Sequence, residues 1–132
     1  GALGWQSSCT GVLAMAPYLA SVEMFEEIGM EALFEKRDKI TAYLEFIIEE
    51  IAKEVNGNFE LITPKNLNER GTQLSVLLHG EGKSLFHYLM KEGVIVDWRE
   101  PAVIRLAPVP LYSTYEEMYE FGQILKRGIQ TK

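Results

Sequence analysis

Residues 94–112 read VIVDWREPAVIRLAPVPLY, and this stretch decides the fold. Val94-Ile95-Val96 is a β-branched run with the composition of a strand. Glu100-Pro101 breaks it, because proline fixes its own φ and pushes its predecessor out of helical conformation. Val103-Ile104-Arg105-Leu106 reads as a second strand. Pro108 and Pro110 stop it, since neither can donate a ladder hydrogen bond. So short a connection makes the two strands antiparallel. Arg105 is a permanent cation inside an apolar run, and an unpaired buried charge is costly. It must reach solvent, pair with a carboxylate such as Asp97 or Glu100, or receive an anionic ligand. Its planar fork suits a carboxylate, through two parallel hydrogen bonds. By residue type alone, a structural ion pair is the commoner arrangement.

Upstream of this hairpin, Ser84 to Lys91 reads as a short helix with Leu85, Phe86 and Leu89 inward and Gly93 as its cap. Gln73 to His79 alternates as a strand, with Leu74, Val76 and Leu78 on one side. Phe59 to Ile62 is a further strand, ended by Thr63-Pro64. The longest element runs from about Glu31 to Val55. Its Ile40, Leu44, Ile47, Ile48, Ile51 and Val55 form one helical stripe facing a core. Glu35–Lys39 and Glu49–Lys53 have the spacing of favourable ion pairs on that helix. Asn56-Gly57-Asn58 closes it. An earlier helix, Met15 to Ile28, carries Pro17 in its first turn and ends at Gly29. Residues 1–11 form an irregular Gly/Ser lead-in. Downstream, Ser113-Thr114-Tyr115-Glu116 is a capping box that starts a last helix.

The expected fold class is therefore α+β: a small antiparallel or mixed sheet of about four strands, with helices packed on one face. The element order is α-α-β-β-α-β-β-α. The length of 132 residues suits a single domain spanning 1–132. Net charge is −6 and no basic stripe is present, which argues against nucleic acid or an anionic membrane as partner. No apolar run is long enough to span a bilayer. The single cysteine, Cys9, leaves no internal disulfide and suits a reducing, cytoplasmic setting. The chain opens on glycine within a Gly-rich stretch, and we expect it to be a piece of a longer protein.

Few residues offer chemistry. Ser8-Cys9 could meet a ligand through hydroxyl, thiol or backbone N–H, although no His or Lys lies close by to activate the thiol. His79 and His87 lack metal-ligand spacing. There is no G-x-G-x-x-G, Walker loop or nucleophile elbow.

From Gly93 to Tyr112 the chain resembles the C-terminal signature of the kynureninase family, close to G-V-V-x-D-W-R-x-P-x-V-I-R-x-A-P-V-P-L-Y. Gly4-Trp5-Gln6, Thr41-Ala42-Tyr43-Leu44-Glu45, Ile62-Thr63-Pro64, Glu69-Arg70-Gly71 and Gln73-Leu74-Ser75 agree with the same family in order and spacing. The resemblance spans nearly the whole chain. It implies the small C-terminal domain of a fold-type-I enzyme of aminotransferase class V that uses pyridoxal 5'-phosphate. The implied reaction is hydrolysis of L-kynurenine to anthranilate and L-alanine, with the cofactor as electron sink. In that picture Arg105 is the substrate-binding arginine that grips the α-carboxylate, and Ser8 is substrate-binding too. Cys9 takes the place of the family asparagine near cofactor and substrate, within Ser8-Cys9-Thr10 where the family has Ser-Asn-Pro. The implied partners are the protein's own N-terminal large domain, which carries the Schiff-base lysine, and a second subunit in a homodimer. None of the eight lysines here sits in a matching context, so the chain alone is expected to be inactive. The competing expectations are a stand-alone small-acid-binding or protein-interaction domain, and the small domain of another class V enzyme.

Overall fold

A computed structural model describes residues 1–5, 8–9, 11–55, 58–80 and 82–130. The readings of Gln6, Thr10, Gly57 and Glu81 fall outside these residues. The chain divides into two compact units, Gly1–Leu33 and Phe34–Lys132.

The first unit holds a 3-10 turn at Ala2–Trp5 and helix α1, Val12–Ile28. Pro17 lies inside α1, in its second turn, and Gly29 ends it with a φ of 81° that side chains resist. No residue of α1 is buried. Val12, Leu13, Tyr18, Leu19 and Phe25 are among its exposed apolar side chains. Helix α2, Met30–Glu54, begins directly after Gly29.

The second unit contains the sheet and the core. Strands β1 (Phe59–Leu61), β2 (Leu74–Leu78), β3 (Asp97–Arg99) and β4 (Val103–Leu106) pair antiparallel in the spatial order β1-β2-β4-β3. Helix α3 (Gly82–Lys91) separates β2 from β3, and α4 (Tyr115–Gln130) closes the chain. The element order and the α+β class agree with the sequence reading. Helices α2, α3 and α4 bury Leu44, Ile48, Leu89 and Phe121 against Leu74, Val76 and Leu78 of β2 and Ile104 and Leu106 of β4. Burying such side chains contributes about 1.5–3 kcal/mol each, which is what holds three helices on one sheet face.

Three local expectations are corrected. The strand before the Glu100-Pro101 turn is Asp97–Arg99, and Val94–Val96 is irregular. A ladder needs partners: β4 begins at Val103, so the residues opposite it across a three-residue turn are 97–99. Val94 and Val96 instead pack against the core from outside the sheet. The cap of α4 is Thr114, one residue later than read. Its Oγ1 accepts from the Glu117 N–H at 3.1 Å, while Glu117 Oε2 accepts from the Thr114 N–H at 2.7 Å. Ser113 is one residue too early, and its hydroxyl accepts from the Val109 N–H at 2.9 Å. Lastly, Glu49 pairs with Lys65 across the β1–β2 connection, at 2.6 Å, and Lys53 turns to Glu50. Glu35–Lys39 forms as read.

Candidate functional site: an arginine on the open face of the sheet

Side chains alternate along a strand, so the register sorts them by face. Ile104 and Leu106 point into the helical core, and Arg105 between them points the other way. In the ladder, Ser75 of β2 stands opposite Arg105 on one side and Asp97 of β3 on the other. The next row on this face holds Glu60, Leu77, Val103 and Arg99. Every residue of these two rows is exposed or half-buried. Arg105 therefore sits mid-sheet, its backbone held by ladders on both sides, on the face away from α2, α3 and α4.

Asp97 is its partner. Arg105 Nε donates to Asp97 Oδ2 at 2.6 Å, and Nη2 pairs with the same oxygen. Arg99 Nε lies 2.9 Å from that oxygen as well. The hydrogen bond from Arg105 is the main influence holding the Asp97 carboxyl below the usual carboxylate range, with Arg99 adding to it. Two guanidiniums around one carboxylate leave a net positive charge. Glu100, the other carboxylate weighed as a partner, goes to Lys83 at 2.6 Å.

Ser8 and Cys9 are both exposed and belong to the first unit, whereas Arg105 belongs to the second. A groove of about 650 Å³ lies between α4, residues 92–96 and residues 106–113. Arg105 does not line it. Glu92, Glu117 and Glu120 do, without any cation, so it would repel a carboxylate ligand. Among the described residues no group of three His, Cys, Asp or Glu side chains comes together as metal ligands. Among the described residues no helix is long and apolar enough to cross a membrane.

A buried ion pair escaped the sequence. Arg70 and Glu45 pair at 2.6 Å with side chains only 3% and 13% exposed, and Arg70 Nε has no partner. The two lie 25 residues apart, so spacing gives no hint of the pair.

Residues 36–125 match the family described as "Kynureninase C-terminal domain". A kynureninase of Flavobacterium johnsoniae is 70% identical over 132 residues, which is all of this chain and 31% of that protein. A kynureninase of Koribacter versatilis is 42% identical over 123 residues, 93% of this chain and 28% of that protein. The chain thus spans about a third of the length of these relatives. Among solved structures, an acetylornithine aminotransferase from Elizabethkingia anophelis superposes with a TM-score of 0.62 at 18% identity, over 80% of this chain and 26% of that one. At that identity the likeness speaks for the fold.

Proposed function

This chain belongs to the kynureninase C-terminal domain family, and on that premise we propose that it supplies the carboxylate clamp of a kynureninase-like hydrolase. The substrate is L-kynurenine, cleaved with water to anthranilate and L-alanine. Arg105 receives the substrate α-carboxylate. The observation that carries this reading is the placement of Arg105: a cation held by two strand ladders, aimed out of an otherwise apolar strand, in a cluster with a net positive charge. Rigid placement is what a carboxylate clamp requires, since a misdirected fork loses one of its two bonds.

Lys39, Lys53, Lys65, Lys83 and Lys126 are each paired with a carboxylate. The cofactor and its lysine belong, in this proposal, to the remainder of a longer, cytoplasmic, homodimeric protein. The exposed apolar surface of α1 supports such a neighbour, because a helix with apolar residues spread around it is ordinarily enclosed. Ser8 and Cys9 are assigned to the substrate and cofactor side of the site, Cys9 at the position of the family asparagine.

The test is an assay of the full-length protein with pyridoxal phosphate and L-kynurenine, following anthranilate fluorescence. Turnover that improves in Cys9→Asn supports the assignment of both the reaction and that loop. Absence of anthranilate from both the parent and Cys9→Asn proteins would refute the reaction.

A further inference from the structure

We propose that Asp97 is the positioning residue of the Arg105 clamp: it grips one edge of the guanidinium so that the other edge faces the ligand carboxylate. The inference rests on the clamp reading and adds a residue to it.

A guanidinium has two usable edges. Nε and Nη2 form the side edge, and Nη1 and Nη2 form the end edge. Asp97 Oδ2 takes both groups of the side edge. The contacts of Arg105 with Asp97 use Nε and Nη2, so the end edge, which Nη1 completes, is the one turned to a second, two-point partner. The grip is built into the ladder, since Asp97 and Arg105 are directly opposed across β3 and β4. A side chain with four rotatable bonds would otherwise lose entropy on every binding event.

Asp97 brings a difficulty, because a carboxylate beside the clamp also repels an incoming anion. Arg99 offsets it. Its Nε lies 2.9 Å from the same oxygen, so the three-residue cluster stays positive while Asp97 holds the direction. A pair kept only for stability has no need of a second arginine on that oxygen, and an exposed pair of this kind adds little stability in any case.

The experiment is steady-state kinetics on the full-length protein with L-kynurenine, in Asp97→Asn, Asp97→Glu, Arg105→Ala and the Asp97→Asn/Arg105→Ala double variant. Asp97→Asn should raise KM about tenfold with kcat within about twofold, and Asp97→Glu should recover part of the loss. In the Arg105→Ala background, Asp97→Asn should change KM by less than about twofold, because a positioning residue acts through its partner. If Arg105→Ala raises KM while Asp97→Asn does not, Asp97 is a surface partner only and the inference is wrong though the clamp stands. An equal effect of Asp97→Asn with and without Arg105 also overturns it. If Arg105→Ala leaves KM unchanged, the clamp and the inference fall together.

Discussion

Arg70, at the end of the β1–β2 connection, and Glu45, on α2, are joined by a 2.6 Å ion pair whose side chains are almost wholly enclosed. Arg70 Nη1 also donates to the Pro64 carbonyl at 3.3 Å, so one guanidinium ties the connection to itself and to the helix. Removing one partner leaves a buried charge without compensation. Glu45→Ala is expected to destabilise the chain by about 3–5 kcal/mol, read by urea unfolding. Replacing both, as Glu45→Leu with Arg70→Met, should cost much less. A single variant no worse than the double one would show that the pair is not desolvated.

A β-carbon at Gly122 of α4 would lie 2.6 Å from Ile47 Cγ2 of α2. That methyl belongs to a β-branched side chain, which has one favoured rotamer in a helix and cannot swing aside. Gly122→Ala is therefore expected to destabilise by about 1–3 kcal/mol, although alanine is the better helix former. Pairing it with Ile47→Ala should recover part of that loss. A higher unfolding midpoint in Gly122→Ala would mean that α2 and α4 are further apart than described.

Much of this was legible beforehand, and the exceptions have physical causes. The α2 stripe and the β2 alternation were readable because burial imposes a period on the sequence. The Asp97–Arg105 pair was within reach for a similar reason, since both stand four residues from Pro101 in a hairpin. The β-branched run at Val94–Val96 misled, because strand composition does not say where a ladder partner lies. Thr114 and Ser113 are equivalent caps by residue type, and only the backbone path decides between them. Glu45–Arg70 and Glu49–Lys65 join residues far apart in the chain, where no local pattern reaches.

Acid should weaken the second unit through its exposed carboxylates. Lys39, Lys65, Arg105 and Lys83 hold Glu35, Glu49, Asp97 and Glu100 respectively below their ordinary values, each chiefly through a hydrogen bond. A carboxylate with a lowered folded-state value contributes stability that is present above its ordinary value. That contribution is lost as pH falls through the lowered one. Stability should decline from about pH 4.5 downward, and added salt should flatten the decline by screening these surface pairs. Denaturant titrations at several pH values, with and without added salt, measure it. A salt-independent decline would assign acid sensitivity to buried groups instead.

Leu13 and Val12 on α1 are 91% and 78% exposed, more apolar surface than a helix of a folded soluble domain usually leaves in water. The 132-residue chain on its own is expected to bind a hydrophobic dye or self-associate, and Leu13→Asp with Leu19→Asp should reduce both. Sedimentation of a clean monomer without dye binding would show that α1 is covered within the chain.

The clamp proposed for Arg105 is tested by the KM for L-kynurenine of full-length Arg105→Ala. A rise of at least about tenfold is expected, from loss of a charge-assisted two-point contact, with thermal stability nearly unchanged because the side chain is partly exposed. A KM within about twofold of the parent would contradict it.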